Sequence, residues 1–84
     1  MWRFEGIVAD PDGKPLQNVC VIIGPHGCQR GSIRTDEGGR YYVDMPQNPT
    51  VIYDFYFALD GHEVVWHRAQ PSGPTVFNVI LRRL

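Results

Sequence analysis

Lysine occurs once in this chain, at position 14, serine twice and cysteine twice. No apolar run approaches the roughly 20 residues that a membrane-crossing helix needs, so membrane insertion is not expected. Net charge is −1 over 84 residues, and the only adjacent basic pair is Arg82-Arg83, read as a solvated tail. Without a broad basic field, nucleic acid is not the expected partner. The two serines, Ser32 and Ser72, lie outside any nucleophile-elbow context, and Ser72 is explained by its proline-glycine turn. Cys20 and Cys28 by themselves make neither a disulfide scaffold nor a zinc site. Free thiols are the expectation; a bridge would close a short loop and needs an oxidising compartment. The opening "MWRFEGIVAD" has an acid at position 5 and no long apolar stretch, so it does not read as a signal peptide. Either the chain is cytoplasmic as it stands or it is a module of a longer, exported protein, and its compartment stays open.

Helix signals are nearly absent as well. Nine glycines and seven prolines break the chain at short intervals, and between them β-branched and aromatic residues alternate with period two. The strands predicted are 2–9, 17–24, 31–35, 40–45, 50–59, 62–68 and 75–82. Trp2, Phe4, Gly6 and Val8 share one face of the first. Val19, Val21 and Ile23 share a face of the second, and Phe77, Val79 and Leu81 a face of the last. Seven short strands with regular turn signals predict an all-β, antiparallel, Greek-key β-sandwich built as one domain over 1–84. The faces predicted to point outward carry Ile7, Cys20, Ile22, Tyr42, Tyr56, Val76 and Ile80, either a patch for contact or a register error at a bulge.

The stretch "TDEGGRYYVDMP" (35–46) reads as a corner. Asp36 is placed to accept backbone amides in an Asx-type turn, while Gly38 and Gly39 tolerate left-handed backbone angles. Asp12-Gly13 and Gly61 are the other turn signals. A calcium site from Asp36 and Glu37 with Asp10 or Asp12 is short of oxygens, and a phosphate cradle lacks a following helix.

"FEGIVADPDGKPLQNVCVII" resembles the opening of carboxypeptidase regulatory-like domains, also called transthyretin-like or prealbumin-like. The residues that carry the likeness are Gly6, Val8, Asp10, Gly13, Lys14, Pro15, Leu16, Val19, Val21 and Ile23. A second element follows in Thr35, Asp36, Gly39, Arg40 and Tyr41. A third is Tyr53, Phe55, Phe57 and Gly61, although His62 stands where that family usually has Tyr. The resemblance implies a prealbumin-like sandwich over essentially the whole chain and, for most such modules, no catalysis. Three relatives of that fold carry out chemistry. Hydroxyisourate hydrolases end in a Tyr-Arg-Gly-Ser tail, where this chain ends "VILRRL". Intradiol dioxygenases share the "TDxxGRY" element but need two Tyr and two His as iron ligands. Collagen-adhesin B-type domains form an isopeptide bond from a first-strand lysine, whereas Lys14 lies in a turn.

"HEVVWH" (62–67) lacks the H-E-x-x-H spacing of a zinc protease, and residues five apart on a strand face opposite sides. His62 and His67 therefore read as polar strand residues. His26 lies near Cys28 without an acid to orient it. The expectation is a non-enzymatic module without cofactor or metal that acts by protein contact or self-association. Ile22, Tyr42, Tyr56, Trp66 and Ile80 are the first candidates for that surface. The alternatives are carbohydrate binding through exposed aromatics and a small metal-dependent hydrolase using His26, His62 or His67.

Overall fold

The computed structural model describes residues 1–24 and 27–84; His26 lies outside them. The described residues form eight strands in order: β1 (Trp2–Ala9), β2 (Cys20–Ile23), β3 (Ile33–Arg34), β4 (Arg40–Met45), β5 (Tyr53–Ala58), β6 (Val65–Ala69), β7 (Thr75–Val76) and β8 (Val79–Ile80). They form two four-stranded sheets. One runs β4-β1-β7, with β8 also paired to β1; the other runs β3-β2-β5-β6. The protein is an all-β sandwich. The described residues hold no helix long and apolar enough to cross a membrane.

The alternation read from the sequence places the core. Phe4 and Val8 of β1, Tyr41, Val43 and Met45 of β4, and Val79 and Leu81 near the C-terminus are buried from one sheet. Val19, Val21, Phe55 and Phe57 meet them from the other. Phe4 and Phe55 stack across the interlayer with centroids 4.4 Å apart and planes 8° from parallel.

Three details differ from the sequence expectation. The run predicted at 75–82 is divided into β7 and β8, because the side chain of Asn78 accepts the Ile7 amide (3.0 Å) where a ladder carbonyl would otherwise stand. Both pieces pair with β1 in parallel, so the first sheet is mixed rather than antiparallel throughout. The strand predicted at 17–24 begins only at Cys20, since Asn18 takes a left-handed φ of 65°.

The cysteines are bridged rather than free: Cys20 and Cys28 form a disulfide with Cα atoms 6.1 Å apart. Cys20 points out of β2, and the bridge holds Cys28 against it. That separation is within the normal disulfide range. The loop closed is short, so the bridge is expected to contribute about 2–3 kcal/mol by restricting the unfolded chain. Replacing both cysteines by serine should lower the melting temperature by about 10–20 °C and leave the circular dichroism spectrum that of a β protein. Calorimetry of the two forms checks this.

Two corners share one construction. Asp10 Oδ1 accepts the amides of Asp12 (3.0 Å) and Lys14 (2.8 Å), and Asp36 Oδ1 accepts those of Gly38 (2.9 Å) and Arg40 (2.9 Å). In each, the fourth residue is a glycine at positive φ, Gly13 at 87° and Gly39 at 72°. Its amide returns 3.0 Å to the Asp carbonyl. This is a tight turn closed by a glycine bulge, and D-x-x-G-[KR] is its sequence mark. Asp10 rather than Asp12 is thus the acceptor in the first corner. Gly38 is not among the residues at positive φ. Both carboxylates are committed to backbone amides, so "TDEGGR" is a corner.

Thr35, just before the second corner, is buried. Its hydroxyl accepts the Val19 amide (2.9 Å) and donates to the Leu16 carbonyl (2.6 Å), tying the corner to the entrance of β2.

Candidate interaction surface

The outward residues fall on two opposite faces. On the sheet of β2, β5 and β6, pairing places Ile22 beside Tyr56 and Tyr56 beside Trp66. These three form one cross-strand row. Cross-strand neighbours on one face lie close enough to pack, and the row runs to the sheet's β6 edge. Tyr42 and Ile80 stand on the other sheet, with Ile7 and Val76. All four are exposed large apolar side chains. The structure therefore joins Ile22, Tyr56 and Trp66 and separates them from Tyr42 and Ile80. Cys20 also points outward, yet it is 3% exposed because the disulfide covers it.

The row ends in a fixed indole. Trp66 is 56% exposed, yet its Nε1–H donates to Asp54 Oδ1 at 3.1 Å. Arg68 Nε donates to the same oxygen at 2.9 Å, and the Arg68 guanidinium carbon lies 5.4 Å from the centre of the Trp66 ring. The hydrogen bonds from Arg68 and then Trp66 hold the Asp54 carboxyl below its ordinary pKa. An exposed aromatic normally loses rotamer freedom when it binds. Here the shared carboxylate has already restricted the ring, which lowers the entropic cost of contact.

On the other sheet, a shallow concavity of about 830 Å³ is lined by Glu5, Ile7, Arg40, Tyr42, Val76 and Asn78 among others. Arg3 lies over the Tyr42 ring at 4.4 Å and pairs with Asp44 at 3.1 Å. Its charges are mixed in sign and exposed, so they carry little energy individually.

His67 turns inward and stacks on Phe77, with centroids 3.8 Å apart. His62 precedes β6, and its Nδ1 lies 3.0 Å from the Asp60 carbonyl. Each ring thus has a separate structural partner. Among the described residues, no group of three His, Cys, Asp or Glu side chains is arranged to hold a metal ion.

No family model matches the chain, and no curated protein matches it. Solved structures do. A 3-chlorocatechol 1,2-dioxygenase from Rhodococcus opacus 1CP aligns with a TM-score of 0.71 at 17% identity, covering 99% of this chain and 60% of that one. A streptococcal ancillary pilin aligns at 0.66 and 16%, covering 99% of this chain and 32% of that one. The likeness is of fold. In both cases the whole of this chain corresponds to only part of a larger protein, less than two thirds of the dioxygenase and about a third of the pilin.

Sequence reading found the row's members but missed what fixes them. Asp54 and Arg68, which hold the indole, were not singled out in the sequence. The available signal was an acid inside an aromatic strand opposite a "WHR" triplet, which brings carboxylate, indole and guanidinium onto one face once the strands pair.

Tyr41 joins the sheets to the C-terminal segment. It is 3% exposed, and its hydroxyl donates to the Phe77 carbonyl. Burial pushes its phenol pKa well above the ordinary value. The unfolded chain releases this proton near pH 10 while the folded chain retains it. The associated stability is complete below that pH and is lost as pH rises above it. Urea midpoints should therefore fall more steeply between pH 9.5 and about 11.5 in the wild type than in Tyr41→Phe. That variant should start about 1 kcal/mol lower at neutral pH for want of the hydrogen bond.

Proposed function

We propose that this chain is a non-catalytic β-sandwich module that acts through contact with protein, and that it belongs with the carboxypeptidase regulatory-like modules. The observation that carries the contact reading is the Ile22–Tyr56–Trp66 row, ending in an indole held by Asp54 and Arg68. A fixed, exposed indole beside half-buried Tyr56 and Ile22 suits protein recognition, where Trp and Tyr dominate binding energy. The family reading is supported by its three motifs, which fall on the β1–β2 corner, the β3–β4 corner and the alternating β5 strand. The fold shared with a pilin accords with a structural role. The separate placement of His62 and His67 favours the non-catalytic reading.

Exposed Trp66 with half-buried Tyr56 beside it makes carbohydrate the second reading, and one experiment divides the two. In a Trp2→Phe background, Trp66 is the only indole. Its emission is expected to stay unchanged across a glycan panel, and a panel of hydrolase substrates should show no turnover. The wild type immobilised on a sensor should retain a protein partner that Tyr56→Ser/Trp66→Ser does not. A saturable emission change with a glycan would move the assignment to carbohydrate binding. Turnover lost on replacing His62 or His67 would replace the contact reading with an enzymatic one.

A further inference from the structure

We propose that Cys28 is a site of S-thiolation. It exchanges with small disulfides and thiols that carry carboxylates, and the Cys20–Cys28 bridge closes and opens through a mixed disulfide on Cys28. This goes beyond the contact-module reading and does not depend on it.

The two sulfurs are unequal in access. Cys20 is 3% exposed, whereas Cys28 is an exposed residue. Cys20 sits inside its sheet, paired with Arg34 of β3 on one side and with Ala58 of β5 on the other. The bridge to Cys28 covers it from outside. A thiol or disulfide arriving from solvent therefore meets Cys28 Sγ first.

The charge around Cys28 selects the reagent. Arg34 Nη2 donates to Cys28 Sγ at 3.3 Å, and Nη1 lies 3.5 Å from the Ser32 carbonyl. The ion pairs among the described residues are Arg3–Asp44 and Arg68–Asp54, and neither uses Arg34. Its charge is thus available to a sulfur or to an arriving anion. A guanidinium beside a cysteine favours the thiolate, which is the reacting form. Both cysteines and Arg34 line an open concavity of about 720 Å³, together with Asp60, His62 and Val64 among others. Asp60 is the only acid among its lining residues. The space admits a small molecule, and the cation beside the sulfur draws one with carboxylates.

In the reduced protein, the Cys28 thiolate attacks one sulfur of a disulfide RSSR. A bond forms between Cys28 Sγ and that sulfur, the RS–SR bond breaks, and RS⁻ leaves with the electron pair. Cys20 then gives its proton to water and attacks Cys28 Sγ. The protein bridge forms and a second RS⁻ leaves. The two cysteines lose two electrons in all, and RSSR is reduced to two thiols once both RS⁻ take up protons. Opening is the reverse: RS⁻ attacks Cys28 Sγ, and Cys20 departs as the thiolate. An accessible thiol beside a cation, next to a covered resolving thiol, has the makings of a redox-responsive pair. Because the bridge restricts the unfolded chain, the stability of the fold then follows the thiol–disulfide balance around it.

The test reacts the intact chain, as Cys20→Ser and as Cys28→Ser, with oxidised glutathione and follows the added mass. Cys28 in the first variant should be thiolated about tenfold faster than Cys20 in the second. In urea the two rates should converge, since the difference comes from the fold. Added to Cys20→Ser, Arg34→Gln should slow the reaction several-fold, and Arg34→Lys should recover part of the rate. Arg34→Gln should also lower the ratio of the rate with oxidised glutathione to that with cationic cystamine, an effect that fades at high salt. The wild type provides a reading free of any folding defect in the variants. Incubated with reduced glutathione, quenched in acid and fragmented, it should carry glutathione on Cys28. Equal rates at the two cysteines in the folded chain overturn the proposal, as does glutathione on Cys20 of the wild type. An unchanged glutathione-to-cystamine ratio in Arg34→Gln overturns the assigned reagent class. None of these results bears on partner retention by the Tyr56–Trp66 face, so the two readings fail separately.

Discussion

Gly39→Ala should destabilise this protein by about 3–4 kcal/mol, whereas Gly13→Ala should cost about 1 kcal/mol. The two glycines occupy the same position of the same turn, at φ of 72° and 87°. Both substitutions force an L-residue into the left-handed region. What differs is the surroundings. A Cβ on Gly13 would meet nothing within 4 Å, but one on Gly39 would press into the Val8 carbonyl and stand 3.1 Å from Pro15 Cβ. The Val8 carbonyl is itself engaged, accepting the Leu16 amide at 2.9 Å, so it cannot withdraw freely. Urea unfolding of the two variants measures the difference directly. Equal costs would mean that backbone strain alone governs both corners and that the second is not packed against the first.

That comparison also shows how far the sequence could be read. The D-x-x-G-[KR] pattern is local, because its hydrogen bonds join residues at most four apart, and for this reason both corners were legible. The contact between them is not, since Gly39 meets Val8 and Pro15 only after β4 has paired with β1. Alternation was legible for the same reason: Phe4, Val8, Tyr41, Val43, Phe55 and Phe57 lie where period two puts them. The parallel pairing of β7 and β8 with β1 was hidden, because side-chain alternation does not encode strand direction. The Asn78 side chain that divides the last run acts through a residue far away in sequence, and the preceding Phe77 amide still donates to Glu5 (2.7 Å). The disulfide was hidden too. Spacing in sequence is compatible with bridged or free thiols, and only the placement of Cys28 beside Cys20 decides between them.

The candidate surface was half legible. Outward positions can be named from alternation, but the sheet to which a strand belongs cannot. Tyr42 and Tyr56 look equivalent in the sequence and lie on opposite sides of the molecule. Trp66 looked like one exposed aromatic among several. Its distinction arises from Asp54 and Arg68, which reach it only through the β5–β6 register. The candidate surface therefore resides in how strands combine, a level above the single strand that sequence pattern describes best.

Phe4→Ala is expected to have the largest single effect, about 3–5 kcal/mol, the usual range for deleting a fully buried aromatic. Phe4 is 0% exposed and lies where the two sheets meet. Its ring stacks on Phe55 and is within 6.3 Å of those of Tyr41, His67 and Phe77. A domain of this size has about 4–13 kcal/mol of total stability, so Phe4→Ala removes a large share of it and, at the lower end of that range, leaves a substantial unfolded population at room temperature. Phe4→Leu fills most of the void and should cost about half as much. The loss should extend beyond stability. His67 rests on Phe77 and faces Phe4, so a cavity at Phe4 frees both rings and lets the centre of β6 shift. In the folded fraction, amide hydrogen exchange at Val65, His67 and Ala69 should accelerate more than at Tyr41 and Val43, because β6 is an edge with one neighbour within the chain. Uniform acceleration across both sheets would instead mean that Phe4 supports the sandwich as a whole and does not selectively brace β6.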